Sequence, residues 1–297
     1  MRIGAKVPNS GLLPAERGIA AMAAELERAG FESLWVSDHV VMTERVDSRY
    51  PFAADGKVTW PPDTPYFDAM IALASIATAT ERAVIGTAVL VLPQRHPVVL
   101  AKQAASVDVM SGGRLALGLG AGWLAEEFEA LNVPFASRGG RFVEWVELLR
   151  ACWTGAPDAY EGAHYSLPAG VLSVPTPAHP VQLLVGGHSK AARRRAGAIG
   201  DGWLAHQSAT ALDVDELRTG IAVSREAALE AGRDPDALWT TLRIIDSATR
   251  AEVVVDALPP LAEAGVDEVV VDIDWATSGN AVATFGALSA ARASLGR

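Results

Sequence analysis

The sequence predicts an α/β protein whose eight parallel strands and their helices close into a (β/α)8 barrel, and three observations support this fold. Short β-branched runs alternate with amphipathic helical stretches along the whole chain, which is typical of parallel strands joined by helical crossovers. Eight such runs match the strand number of this barrel. The 297 residues, half of them apolar, are enough for one large core. We therefore predict a single domain over residues 1–297.

The eight runs mark the predicted strands. They lie at residues 3–7, 33–36, 83–88, 114–118, 181–185, 202–205, 238–244 and 268–273. Proline and glycine mark the helix ends between them, and we expect the first helix to run from Pro14 to Gly30. An open, doubly wound sheet is the alternative topology, but no dinucleotide-binding glycine pattern follows the first strand.

Two segments are longer than ordinary connections. Residues 40–65 follow the second strand, so we expect this insertion on the face where barrel enzymes carry their active sites, as a lid or pocket wall. Its aromatic residues, with the one that follows it, are Tyr50, Phe52, Trp60 and Tyr66. Residues 154–180 precede the fifth strand, so we expect this second insertion on the opposite face, in a structural role and with a hairpin near residues 160–174.

Composition argues against several classes of partner. The formal charge of −10, without any basic run, predicts that the protein does not bind nucleic acid. No apolar stretch reaches the roughly 20 residues that span a bilayer, and the first residues do not resemble a signal peptide. Cys152 is the only cysteine, so no intrachain disulfide forms. We therefore expect a cytoplasmic protein without membrane contact.

Two polar residues follow the second predicted strand at the active-site face. His39 carries an imidazole that can exchange a proton near neutral pH, and the neighbouring Asp38 can orient it. The alternative is a structural pair in which Asp38 caps a loop. The six histidines are otherwise scattered without metal-ligand spacing, so we expect no metal site.

Small residues follow the third and fourth predicted strands. Thr87, Ala88 and Val89 end the third strand, where small side chains let a ligand ring approach the backbone or mark a bulge. The fourth strand is expected to end before a glycine-rich exit, formed by Gly120, Ala121 and Gly122, whose backbone N–H groups can hold the polar edge of a cofactor. We interpret Arg95 and His96, beyond the third strand, as parts of a solvated turn.

Another glycine-rich turn follows the fifth predicted strand. Gly186, Gly187, His188 and Ser189 stand directly before a helix, and this arrangement suits a phosphate group. The alternative is a tight turn in which Ser189 only caps the helix. Two tryptophans, Trp60 and Trp123, are candidates for the substrate pocket, with packing in the core or the lid as the alternative.

Seven segments taken together resemble the bacterial luciferase-like superfamily, and within it the branch that depends on coenzyme F420. They are residues 30–39, 86–90, 101–103, 111–115, 118–123, 186–189 and 200–203. The resemblance implies a (β/α)8 barrel, often a homodimer, that binds F420 or FMN at the C-terminal ends of its strands. It also implies that Asp38 and His39 border the reactive ring and that His39 exchanges the proton.

The resemblance assigns two further elements of the cofactor site. It implies a strand bulge at Ala88 and Val89, often with a cis peptide bond, and a phosphate site at Gly186 to Ser189. One position departs from the relatives that oxidise glucose 6-phosphate, because Trp123 stands where those enzymes have an acid. Oxidation of a sugar phosphate by their mechanism is therefore not expected.

These observations lead to three functional hypotheses. The preferred one is hydride transfer between C5 of F420 and a small organic substrate, with His39 exchanging the coupled proton. The alternative is an FMN-dependent monooxygenase that uses O2 and a separate flavin reductase. A third hypothesis is a barrel that binds the cofactor without catalysis.

Overall fold

Parallel strands surrounded by helices build the protein, for which a computed structural model describes residues 1–295 except residues 52 and 54. Phe52 of the expected lid therefore lies outside the described residues. The strands are β1 (Arg2–Lys6), β2 (Ser33–Val36), β3 (Val84–Val91), β4 (Leu115–Gly120), β5 (Tyr160–Glu161), β6 (Ser166–Leu167), β7 (Gln182–Gly186), β8 (Gly202–Ser208), β9 (Trp239–Ile245) and β10 (Glu268–Val271). The helices are α1 (Leu13–Arg17), α2 (Ile19–Ala29), α3 (Ala69–Ala79), α4 (Pro97–Ser111), α5 (Ala125–Ala130), α6 (Arg138–Cys152), α7 (Lys190–Ile199), α8 (Val214–Glu230), α9 (Ala251–Glu263) and α10 (Asn280–Arg292).

The barrel strands neighbour one another in the order β1, β10, β9, β8, β7, β4, β3, β2, and β1 pairs in parallel with both β2 and β10. This closed ring confirms the predicted fold class. We call the C-terminal ends of these strands the mouth and the N-terminal ends the floor. Among the described residues, no helix combines the length and the apolar character that crossing a bilayer requires.

Most predicted strands differ from the observed ones by one to three residues at an end, and three differences in the elements stand out. The first helix is two helices, α1 and α2, because Gly18 adopts a φ of +79° between them. The third strand continues beyond residue 88 to Val91, with a register shift between Thr87 and Leu90. Gly120 belongs to β4 and not to an exit loop, because Val91 at the extended end of β3 pairs with it.

Arg114, just before β4, belongs to a segment shared with the luciferase-like superfamily, and its contacts are structural. Its guanidinium donates to the carbonyl oxygens of Ala77, Thr80 and Ala83 at 3.1, 2.7 and 2.6 Å. The carbonyls of Ala77 and Thr80 lie at the end of α3, where the helix leaves acceptors without intrahelical partners, and that of Ala83 directly precedes β3. The arginine therefore fastens the end of α3 to the floor.

A buried carboxylate ties strands together across the floor. One oxygen of Glu268, in β10, accepts hydrogen bonds from Ser33 and Trp35 of β2. The other oxygen accepts them from Thr241 and Trp239 of β9 at 3.0 and 3.3 Å. Glu268 is fully buried, so these donors replace its water shell. The network sets the spacing of β2, β9 and β10 at the end of the barrel opposite the mouth.

The insertion at residues 154–180 contains the expected hairpin, because β5 and β6 pair antiparallel. The hairpin lies along α6, where the Tyr160 hydroxyl donates to Glu147 at 2.7 Å. In the loop between β5 and β6, the Tyr165 hydroxyl lies 3.3 Å from Nε2 of His96, the residue that precedes α4. Since α4 begins at the mouth, the insertion extends from the floor to the mouth. The expectation that it stays on the opposite face is wrong for the hairpin.

We predict that Glu268→Ala lowers the free energy of unfolding by about 3 kcal/mol or more, because it leaves several buried donors without an acceptor. Urea denaturation measures this loss. The matched control is Glu263→Ala, an exposed change in α9 that should stay within about 0.5 kcal/mol of the wild type. A loss in Glu268→Ala no larger than in the control would show that the network does not stabilise the barrel.

Candidate active site

His39 pairs with a carboxylate that the sequence analysis did not select. Its Nδ1 lies 3.0 Å from Oε2 of Glu127 in α5, and both side chains are buried. Burial raises the pKa of Glu127, but hydrogen bonds from His39 and from the Val40 backbone outweigh it and hold this pKa below its ordinary value. The carboxylate is therefore ionised near neutral pH. It places the proton of a neutral His39 on Nδ1 and leaves Nε2 as the basic nitrogen.

Asp38 is directed away from His39 into an ion pair. Its two oxygens accept hydrogen bonds from Nη1 and Nη2 of Arg95 at 2.6 and 2.7 Å, and one of them also accepts from the Val91 backbone at 2.9 Å. The Arg95 side chain is only 11% exposed, so the interpretation of a solvated turn is wrong for Arg95, whereas His96 is exposed. The pair fastens the end of β3 to the end of β2. A direct contact between Asp38 and a cofactor stays a prediction.

Aromatic rings surround His39, and we call Tyr50, Trp60, Tyr66 and Trp123 the aromatic cluster. The ring centres of Tyr66, Trp123 and Trp60 lie 5.3, 6.0 and 6.2 Å from that of His39. Tyr50 packs edge-on against both tryptophans. Both residues selected for the substrate pocket therefore lie beside the histidine. The rings also keep bulk water from an imidazole that is 8% exposed.

Two neighbouring acids of α5 hold the first insertion over the mouth. Oε1 of Glu127 accepts from the backbone N–H of Val40 and Val41 at 2.6 and 3.2 Å. Oε1 of Glu126 accepts from the backbone N–H of Asp47 and Ser48 at 2.6 and 2.9 Å. Burial raises the pKa of Glu126, but hydrogen bonds from the Ser48 side chain and from backbone N–H groups, those of Ser48 and Asp47 included, lower it further than burial raises it. Both acids therefore remain charged acceptors at neutral pH.

The end of β3 forms the bulge that the resemblance implies. The peptide bond between Ala88 and Val89 is cis, and the register with β4 shifts here. The Thr87 hydroxyl donates to the Gly118 carbonyl at 2.8 Å inside the sheet. Thr87 is fully buried and pairs with both neighbouring strands, so a contact between Thr87 and a cofactor stays a prediction.

Val89 explains the glycines of two neighbouring strands. A Cβ atom on Gly120 would lie 2.6 Å from one methyl group of Val89, and a Cβ on Gly186 would lie 2.7 Å from the other. Both positions must be glycine because the Val89 side chain fills the space between β4 and β7. Ala121 is half-buried, and Gly122 turns the chain with a φ of +85°.

The turn after β7 has the features expected of an anion site. Gly187 has a φ of +116°, and Ser189 caps α7 by accepting a hydrogen bond from the Ala192 backbone at 3.2 Å. The first backbone N–H groups of a helix have no intrahelical acceptors and attract negative charge. The Ser189 cap and the open helix start are present together. A helix cap and a phosphate site, the two interpretations of this turn, are therefore compatible.

The side chain of His188 has protein partners. Its Nδ1 lies 3.0 Å from the Glu216 carboxylate, and its Nε2 accepts from the His206 backbone at 3.0 Å. Burial and the nearby charge of Arg193 lower the pKa of His188, so the ring is neutral near pH 7. His188 thus joins the turn to β8 and α8, and only its backbone remains to contact an anion.

Charged groups that the sequence analysis did not select lie on the other half of the mouth. Nζ of Lys6 donates to the Val7 carbonyl at 3.0 Å and to Oδ1 of Asn9 at 2.7 Å. Arg243 in β9 is buried and hydrogen-bonded to Asp272. Burial and the charge of Arg243 lower the pKa of Lys6 to about 7, although Asp272 opposes this. Lys6 is therefore partly neutral at physiological pH.

Sequence signals existed for two of these missed residues. Glu127 is one of two adjacent acids that open a helix directly after the glycine-rich segment of β4. Arg243 is the one charged residue in the apolar end of its predicted strand. A charge in a buried strand needs a partner. No comparable sequence signal indicates a functional role for Lys6, because a lysine at the end of a strand is common.

We predict that Glu126→Ala exposes the first insertion to proteolysis. The variant loses two hydrogen bonds of about 1 kcal/mol each, which should raise the population of the open loop about 5- to 30-fold. Trypsin should then cleave after the exposed Arg45 faster by the same factor. The matched control is Glu129→Ala, an exposed position of the same helix. Mass spectrometry of the digest measures both rates, and equal rates would contradict this role of Glu126.

The chain is similar to known proteins along nearly its whole length. Residues 2–295 match the family described as luciferase-like monooxygenase. An uncharacterized protein of Mycobacterium tuberculosis is 34% identical over 84% of this chain and 83% of its own length. An F420-dependent glucose-6-phosphate dehydrogenase of Nakamurella multipartita is 30% identical over 90% of this chain and 76% of its own length.

A solved structure shares the fold at lower sequence identity. It is an F420-dependent secondary alcohol dehydrogenase in complex with an F420–acetone adduct, 19% identical, with a TM-score of 0.78 over 98% of this chain and 99% of that one. The resemblance found in the sequence is thus confirmed by the family match along nearly the whole chain. The protein belongs to the luciferase-like monooxygenase family of oxidoreductases.

Proposed function

We propose that this protein transfers a hydride between C5 of coenzyme F420 and a small organic substrate, with His39 exchanging the coupled proton. The observation that carries the proposal is the buried pair of His39 and Glu127 inside the aromatic cluster. A histidine whose tautomer is fixed by an ionised carboxylate, and which is shielded from water, is suited to general acid–base chemistry.

The residues at the mouth fit a deazaflavin cofactor with a phosphate group. The capped start of α7, with Gly187 in a conformation that favours glycine, suits the phosphate. The bulge at Ala88 and Val89 offers backbone and a half-buried apolar side chain to a flat ring. When bound there, F420 would supply the two-electron chemistry that no side chain provides.

Each residue of the pair then has a distinct task. Nε2 of His39 gives a proton to the substrate oxygen in a reduction and takes it in an oxidation. Glu127 holds the ring and stabilises the imidazolium form that exists while His39 carries both protons. The aromatic cluster excludes water, which strengthens these electrostatic interactions. Asp38 and Arg95 contribute at a distance, because their ion pair fixes the end of β3 that carries the bulge.

The names of relatives support F420 and do not specify the substrate. One relative is named for F420-dependent glucose-6-phosphate oxidation, but Trp123 stands where those enzymes carry an acid. The aromatic cluster around His39 favours a substrate with apolar or aromatic character. FMN-dependent oxygenation is the second candidate, because the family description itself names monooxygenases.

Cofactor titration tests the proposal directly. We expect saturable micromolar binding of F420, followed by its fluorescence, and no saturation with FMN under the same conditions. Turnover should then proceed without oxygen. Tight binding of FMN alone, with substrate-dependent oxygen consumption, would replace the proposal with the monooxygenase.

A second prediction concerns the histidine. We expect His39→Ala to lower kcat by about 10²- to 10⁴-fold while the Kd for the cofactor is unchanged, because proton exchange is lost and binding is not. Glu127→Gln should cause a smaller loss, since the amide keeps an oxygen acceptor but not the charge. His179→Ala, an exposed histidine, is the control. Unchanged turnover in His39→Ala would remove His39 from the mechanism.

Three further predictions concern assembly, location and partners. A homodimer, a cytoplasmic location and, for the monooxygenase alternative, a separate flavin reductase all stay predictions. Sedimentation velocity tests the first. Turnover by the wild type would argue against a barrel that only binds the cofactor.

A further inference from the structure

Three arginines without acidic partners lie where two helices begin at the mouth. Arg138 and Arg141 are in the first turn of α6, and Arg195 is in the second turn of α7. Within the part of the chain that the structure describes, none of the three has a carboxylate oxygen within 4.0 Å. By contrast, Arg193 and Arg194 of the same α7 each form an ion pair. We call Arg138, Arg141 and Arg195 the arginine cluster.

Aromatic rings hold the cluster in place. The Arg138 guanidinium lies 3.7 Å from the ring centre of Phe135 and donates to its carbonyl at 3.0 Å. Arg195 lies over Phe142 at 5.3 Å. Stacked guanidinium groups lose less conformational entropy when they bind an anion. The cluster is therefore ordered before any ligand arrives.

The arginines are close enough to repel one another. A Cβ atom on Gly139 would lie 3.7 Å from Nη1 of Arg195, which shows that Arg195 reaches the start of α6. Burial, and then the charge of Arg138, lowers the pKa of Arg195. Nε of Arg195 is also buried and has no hydrogen-bond partner among the described residues. An anion at this point would relieve both the repulsion and the unsatisfied donor.

The arginine cluster lies next to the candidate phosphate site at the start of α7. Arg195 follows Ser189 by six residues, which is about 9 Å along the helix axis, and side chains on a helix lean toward its N-terminus. The positive region thus extends from the start of α7 to the start of α6. Among the described residues, the nearby Glu144 forms no ion pair with the three arginines, and its oxygens accept hydrogen bonds from the backbone N–H groups of Ala163 and His164.

We propose that the arginine cluster binds the carboxylates of an anionic chain that extends from the cofactor phosphate. The chain that fits this chemistry is the tail of γ-linked glutamates in F420. This inference rests on the proposed function, and it also separates the two cofactors, because FMN ends at its phosphate and leaves the cluster without a ligand.

The test compares cofactors with and without the tail. Two ligands are compared: F420 with several glutamates, and its deazaflavin precursor, which lacks the phosphate and the tail. Fluorescence titration gives the Kd of each ligand for the wild type and for the double variant Arg138→Gln with Arg195→Gln. We expect the variant to bind tailed F420 about 10-fold more weakly, because two charge contacts are lost, and the precursor equally well. Arg28→Gln, an exposed charge at the end of α2 near the floor, is the matched control, and thermal unfolding checks that each variant folds.

A direct measurement separates this inference from the proposed function. A γ-linked tetraglutamate should raise the Tm of the wild type and not that of the double variant. If it does so while F420 does not bind, the anion site stands and the proposed function falls. If F420 binds with the same Kd whatever the length of its tail, the proposed function stands and the arginine cluster is not a tail site.

Discussion

The carboxylate of Glu127 is the contact on which the rest of the candidate site depends. One of its oxygens orients His39, and the other binds the first residues of the insertion that covers the histidine. It stays ionised although it is buried, because donors from both elements surround it. A single charge thus fixes the tautomer of the imidazole and the start of the lid.

The two ends of the barrel use buried charge for different purposes. At the floor, the carboxyl group of Glu268 accepts four hydrogen bonds from two strands and has no exposed surface, so it holds the strands together. At the mouth, His39, Lys6 and the arginine cluster carry ionisable or positive groups next to glycines and helix starts. This division matches the general rule that barrel enzymes build stability at the floor and chemistry at the mouth.

The sequence predicted those features that depend on residues close together in the chain, and missed those that depend on residues far apart. The strands, the hairpin near Tyr160 and the capped turn at Ser189 follow from residues close together in the chain, and the structure confirms them. The cis bond before Val89 followed from family resemblance. The pairs of His39 with Glu127 and of Asp38 with Arg95 join residues 88 and 57 positions apart, so no local pattern reveals them. The same holds for Gly120 and Gly186, whose small size is explained only by Val89 on another strand.

The attachment of the lid has a consequence for the order of events in a catalytic cycle. Val40 and Val41 share with His39 the same carboxylate, so a movement that frees the start of the loop also disturbs the orientation of the imidazole. In the proposed function, a loop opening that admits substrate would therefore also release His39 from the alignment that proton exchange needs. Proton exchange by His39 would then be confined to the state in which residues 40–65 cover the imidazole.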